Sequence, residues 1–209
     1  MVLKKSFKPI IRGLAHLACL TPFLLYTYRS YAEKLGADPI AELTHGTGLW
    51  ALRFLLLCLA MTPLRLLFAQ SWPIQYRRML GLYAFFYASV HFCIYLFLDL
   101  GLYWSQIIDD IIKRPFITVG FLAWLCMLPL AITSTRAWIK RLGKRWLQLH
   151  RLIYLIGLFA ILHFLWLVKS DLREPAVYAG IFIILMTIRL IIHIRKKYLA
   201  KTNQHLGHI

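Results

Sequence analysis

Two of the eight histidines in this 209-residue chain, His91 and His163, lie deep inside long apolar runs. Their settings are Tyr87-Ala88-Ser89-Val90-His91-Phe92 and Ile161-Leu162-His163-Phe164-Leu165-Trp166. An ionisable side chain inside a membrane is costly, which makes it a functional candidate by default. If one helix starts near Met79 and another near Leu147 on the same side, the helical rise puts His91 about 20 Å and His163 about 24 Å along their axes. Two imidazoles at nearly one depth, facing each other across a bundle, are what six-coordinate haem iron requires. A lone membrane histidine reads equally well as a hydrogen-bonded core residue. The matched depth on two helices favours ligation for this pair.

His150 adds a second level. It stands 13 residues before His163, a rise of about 20 Å that suits two haems, one near each membrane face. Its side chain is rotated about 140° from that of His163, so the helix must bend or a second haem must tilt differently. No partner for His150 is obvious: His16 and His193 fall on its side, but the residue 13 before His91 is Arg78. The spacing supports one haem and leaves a second open. His45, at the mouth of the second apolar run, reads either as a helix-start residue or as a propionate contact. Arg53 lies within that run, where a cation needs a partner, and a haem propionate would serve. His205 and His208 sit in a polar tail and read as solvated.

The elements that must position these residues follow from composition. The chain is 60% apolar and only 16% charged, yet it carries 25 Lys plus Arg against 8 Asp plus Glu, a formal charge of +17. Disordered chains lack such aliphatic and aromatic content. A free nucleic-acid-binding protein needs its basic residues on a soluble core, not between long uncharged runs. About 20 apolar residues cross a bilayer core as a helix, and six segments qualify: 9–28, 46–66, 78–99, 115–133, 147–168 and 175–194. A barrel would show shorter stretches alternating polar and apolar. The first segment follows Lys4, Lys5 and Lys8 as a signal peptide would, but Arg12 and His16 interrupt it and no clean cleavage site follows. The fold class expected is all-α, a single six-helix transmembrane bundle over residues 1–209.

Charge orients the bundle, because short cytoplasmic loops collect Lys and Arg. Lys4, Lys5, Lys8 and Arg12, then Arg65, Arg77 and Arg78, then Arg136, Lys140, Arg141, Lys144, Arg145 and Arg151, then Arg189 and the basic tail all fall on one side. All eight acids, among them Asp38, Glu42, Asp99, Asp109, Asp110 and Glu174, fall on the other. Both termini are expected in the cytoplasm. The basic loop 136–145 is an inside anchor first, and secondly a surface for an anionic cofactor or a partner's acidic face.

Other chemistry is absent from the pattern. Cys19, Cys58, Cys93 and Cys126 lie singly in four different runs without a C-x-x-C, and they read as packing residues rather than as an iron–sulfur or disulfide framework. No internal repeat stands out. No glycine-rich dinucleotide or P-loop motif is present, and no tail or loop is long enough for a soluble domain. Redox chemistry here would draw its electrons from a separate partner or a lipid-soluble carrier.

Leu35-Gly36-Ala37-Asp38-Pro39, Arg78-Met79-Leu80-Gly81-Leu82, Thr133-Ser134-Thr135, the stretch Leu142-Gly143-Lys144-Arg145-Trp146-Leu147-Gln148-Leu149-His150 and the run His163-Phe164-Leu165-Trp166-Leu167-Val168-Lys169 resemble the MsrQ family, formerly YedZ. The resemblance covers nearly the whole chain. It implies a haem b subunit of a bacterial methionine sulfoxide reductase system, related to the ferric reductase and NADPH oxidase transmembrane domain. It implies electron transfer across the inner membrane to a periplasmic molybdopterin subunit, MsrP, which reduces methionine sulfoxide in oxidised periplasmic proteins. Quinol or a cytosolic flavin reductase is the implied donor, FMN an implied second cofactor, and His91, His150 and His163 the implied haem ligands. The chain would then be an electron-transfer subunit rather than the catalytic reductase.

Two other classes compete. A small transporter or channel would use intramembrane His and Arg for proton or substrate movement, but no acid lies inside the helices and no pair of broken half-helices is seen. In a pure membrane anchor the deep histidines would be incidental.

Overall fold

The protein is described from a computed structural model, which covers residues 8–168 and 171–206. Lys4, Lys5, Lys169 and His208 lie outside the described residues. The helices are α1 (Lys8–Tyr31), α2 (Pro39–Leu67), α3 (Arg77–Ile94), α4 (Trp104–Lys113), α5 (Pro115–Ile132), α6 (Arg136–Leu142), α7 (Lys144–Leu149), α8 (Leu152–Leu167) and α9 (Arg173–Leu206). Among the described residues, six helical stretches are long and apolar enough to cross a membrane: Pro9–Tyr31, Pro39–Leu67, Arg77–Asp99, Pro115–Ile132, Lys144–Leu167 and Arg173–Tyr198. The all-α, multi-pass expectation holds, and the six spans match the apolar runs.

Boundaries differ where polar residues extend a helix. α2 begins at Pro39, well before the apolar run, because Asp38 caps it: its carboxylate accepts from the Ala41 N–H at 3.0 Å. Pro39 at the first helical position and Glu42 in the first turn suit a helix start. α2 is also the central helix. Of its apolar window 44% is buried within the protein, against 11–28% for the other spans.

Two segments that read as loops are helical. The outer connection carries α4, whose Ile107 and Asp110 are buried while Ile108 and Ile112 are 55% and 73% exposed. Such a helix lies along a membrane surface with one side in the apolar boundary. The basic loop folds into α6 and α7. Thr135 caps α6 by accepting from the Trp138 N–H at 3.4 Å, and Gly143, at φ 50°, separates the two helices.

Pro22 opens a gap in α1, since proline donates no N–H and crowds the preceding turn. The Tyr87 hydroxyl of α3 fills it. It donates to the Cys19 carbonyl at 2.8 Å and accepts from the Phe23 N–H at 3.0 Å, two groups one turn apart. Tyr87 is fully buried and stacks on Phe54 at 5.3 Å. A side chain inserted into the helical ladder is a recognised cause of helix bending. Here it also fastens α1 to the bundle.

Candidate cofactor site

Helices α2, α3, α5 and α8 enclose a cavity of about 330 Å³ lined by both His91 and His163. Most of its wall is apolar, including Leu52, Ala84, Ala88, Ala123, Met127 and Ile156. The two imidazoles face each other, ring centres 6.2 Å apart and planes at 80°. The depth matching inferred from helical rise is thus met by the packing. Trp124 braces the wall, donating its indole N–H to Ser89 Oγ at 3.1 Å and so tying α5 to α3.

Each ring is anchored in the same way. His91 Nδ1 lies 2.8 Å from the Thr44 carbonyl, and His163 Nδ1 lies 2.7 Å from the Phe116 carbonyl. A carbonyl only accepts, so Nδ1 carries the proton in both rings and the lone pair is left on Nε2. Metal-binding histidines are typically oriented by such a bond, which also raises ligand basicity. Among the described residues neither Nε2 has a hydrogen-bond partner.

A glycine one turn beyond each acceptor makes room for the ring. A Cβ on Gly48 would sit 3.1 Å from His91 Cε1 and Nδ1, and one on Gly120 would sit 2.6 Å from His163 Nδ1. The triplets Thr44, Gly48, His91 and Phe116, Gly120, His163 therefore repeat one arrangement, with the histidine 47 residues after its acceptor each time. The repeat lies in geometry and spacing, not in residue identity, which is why none stands out along the sequence.

The residues fit an axially ligated metal. With a metal–nitrogen bond of about 2 Å and a further 1 Å or so from nitrogen to ring centre, two collinear ligands place their ring centres about 6 Å apart. The observed separation of 6.2 Å matches that distance. Among the described residues no group of three or more His, Cys, Asp or Glu could hold a metal. His91 and His163 are the pair that could hold a haem iron.

The other candidates lie elsewhere. His150 stands where α7 gives way to α8, so the helix breaks at this residue. It does not line the cavity. Its ring stacks on Trp146 at 3.9 Å and its Nδ1 lies 3.1 Å from the Trp146 carbonyl; among the described residues its buried Nε2 makes no hydrogen bond of good geometry, the Leu130 carbonyl being the other backbone group that acts on the ring. The ring neighbour of His150 is a tryptophan rather than a second imidazole. Arg53 does not line the cavity either. Its Nε donates to the Tyr178 hydroxyl at 2.8 Å and its guanidinium lies 4.9 Å over the Trp50 ring. Tyr178 and the Trp50 ring are the groups that meet Arg53 within the protein. His16 meets Tyr83 at 3.0 Å. His45 does line the cavity, with Glu174 3.7 Å away.

The Thr133-Ser134-Thr135 motif also has a local reason. Thr133 and Ser134 hydroxyls donate to the Pro129 and Leu130 carbonyls at 2.6 and 2.7 Å, closing the end of α5. The Trp146 indole then donates to the Thr133 carbonyl at 2.9 Å, which sets α7, and with it His150, against that end.

A cavity between four membrane helices with two facing histidines defines a class, and residues 47–161 match the family described as ferric reductase like transmembrane component. Closer relatives are called protein-methionine-sulfoxide reductase heme-binding subunit MsrQ. The Xanthomonas euvesicatoria protein is 58% identical over 185 residues, 86% of this chain and 85% of its own length. That of Xanthomonas campestris strain 8004 is 57% identical over 194 residues, covering 90% and 89%. The Rhodospirillum rubrum protein is 46% identical over 181 residues, covering 86% and 87%. The chain belongs to the MsrQ family. No solved structure matches it at a significant level.

Proposed function

We propose that this protein is a haem b electron-transfer subunit, with one haem held between His91 and His163. The observation that carries this reading is the facing pair of imidazoles, 6.2 Å between centres, each with Nδ1 tied to a carbonyl. The relatives named as heme-binding subunits support it. When bound, the haem iron supplies a one-electron carrier. The chain's own part is to present two Nε2 lone pairs, hold both rings by the Thr44 and Phe116 carbonyls, and keep water away with an apolar wall. Residues 1–209 act as one transmembrane unit in this reading, and the chain serves a reductase without being the catalytic reductase itself.

The charge asymmetry sets the direction. The end bearing Arg77, Arg136, Lys140 and Arg141 faces the cytoplasm and meets the donor, quinol or a flavin reductase. The end bearing Asp109, Asp171 and Glu174 faces the periplasm and docks a molybdopterin reductase of the MsrP type. The membrane is then the bacterial inner membrane, and the repair of oxidised periplasmic methionine is the outcome. Near the basic end, His150 is the ligand we assign to a second haem, supported by its buried Nε2, which makes no hydrogen bond of good geometry among the described residues. FMN belongs to this reading as a family property, and no residue is assigned to it. A transport path would call for a largely polar lining, whereas most of this cavity's wall is apolar.

Absorption spectroscopy of the purified protein tests the core of the proposal. A reducible b-type spectrum is expected, and His91→Ala and His163→Ala should each abolish it. Unchanged bands in both variants would overturn the ligand assignment. Donor-by-donor reduction in membranes distinguishes quinol from flavin.

A further inference from the structure

Among the described residues, Arg114 is the one Lys or Arg side chain that lines the cavity. Arg114, at the start of α5, lines the wall at the end that also carries Tyr95 and Asp99. It lies six residues before Gly120, the residue against the His163 ring, so about 9 Å along the helix from that level. That is the direction and scale in which a porphyrin's propionate arms extend from its centre.

Arg114 is positioned by two further residues. Its Nε lies 3.3 Å from Asp110 Oδ1, and the other carboxylate oxygen of Asp110 accepts from the Tyr95 hydroxyl at 3.0 Å. Asp110 is only 6% exposed, so the carboxylate is fixed and satisfied from both sides. Tyr95 opens the π-helical turn Tyr95–Asp99 that continues α3. A π turn changes the direction of the residues in it and often marks a functional site. Here it brings the Tyr95 hydroxyl to α4. The clamp engages Nε, and among the described residues neither terminal guanidinium nitrogen is hydrogen-bonded, which leaves the fork that pairs a carboxylate in bidentate fashion. Asp99, the other fixed charge on this wall, disfavours an anion on its own side. An anionic ligand edge is thereby directed toward Arg114.

We propose that Arg114, clamped by Asp110 and Tyr95, binds the propionate carboxylates of the haem seated between His91 and His163. Arg53, engaged by Tyr178 and Trp50, is not that partner. This inference rests on the haem reading above, and its test is built to fail separately.

The full-length apoprotein, made in haem-deficient cells, is reconstituted in detergent with haem or with haem dimethyl ester, whose propionates are uncharged. Two readouts are taken: the bis-imidazole absorption and electron paramagnetic resonance spectrum, and the rate of haem loss to a haem-scavenging apoprotein. Arg114→Gln should keep the spectrum but lose haem about tenfold faster, the scale of one charge-assisted hydrogen bond. Esterification should accelerate loss from the unsubstituted protein by a similar factor and leave Arg114→Gln unaffected. Arg114→Lys should fall between the two, and Tyr95→Phe should show a smaller acceleration, as expected of a positioning residue. Arg53→Gln should remain fully sensitive to esterification. Loss rates within twofold between Arg114→Gln and the unsubstituted protein, or effects of substitution and esterification that simply multiply, would overturn the proposal. A colourless unsubstituted protein, or an unchanged spectrum in His163→Ala, would instead overturn the haem site on which it rests.

Discussion

Gly120→Ala concentrates the reasoning on one methyl group. Its carbon would stand 2.6 Å from His163 Nδ1, 2.9 Å from Cε1 and 3.1 Å from Cγ. Comfortable contacts between such atoms lie at about 3.5–4.0 Å, so the ring or the helix must give by roughly 1 Å. The ring cannot yield freely, because Nδ1 is bound to the Phe116 carbonyl of the same helix at 2.7 Å. A binding constellation tolerates displacements of only about 0.5 Å. Overpacking of this kind costs about 1–3 kcal/mol, and alanine's better helix propensity offsets about 1 kcal/mol of it. Thermal stability in detergent should therefore fall by only a few degrees, while the low-spin haem signal is lost or converted to high spin. Gly48→Ala is the internal control. Its Cβ meets His91 at 3.1 Å, a few tenths of an ångström tight, and most of the low-spin signal should survive. A Gly120→Ala protein with an unaltered low-spin spectrum, or a Gly48→Ala protein more damaged than Gly120→Ala, would refute the cradle argument.

Two further outcomes are expected. Tyr87→Phe strands the Cys19 carbonyl and the Phe23 N–H beside Pro22, and should lower stability by about 1–3 kcal/mol, the cost of buried unsatisfied groups; an unchanged melting temperature would mean that α1 closes the gap by itself. His150→Ala should reduce the haem-to-protein ratio measured by pyridine haemochrome while leaving the signal of the His91–His163 pair in place. An unaltered ratio would remove the second haem.

The architecture was largely legible because a membrane span is a local property. A run such as Phe54 to Met61 is apolar enough to fix a helix wherever it packs, and the six runs appear as six spans. Polar extensions were less visible. The start of α2 depends on the Asp38 cap rather than on hydrophobicity. The interfacial helix α4 left a signal in the paired isoleucines at 107–108 and 111–112, but it is too short to register as a span. The rotational mismatch between His150 and His163 left either a bend in the helix or a differently tilted second haem; a helical break does occur at His150.

The cofactor site divides in the same way. The depth of His91 and His163 is set along each helix by a constant rise per residue, so the sequence by itself determined that two imidazoles share one level. Which way they point, and what holds them, depends on rotations of helices that meet only after folding. Tertiary structure alone brought the Thr44 and Phe116 carbonyls to the two Nδ1 atoms and set Gly48 and Gly120 behind the rings. It also turned Arg53 to Tyr178 and left Arg114 on the cavity wall. Axial position is local and additive along the chain; azimuth and partner choice are decided by packing between residues far apart in sequence.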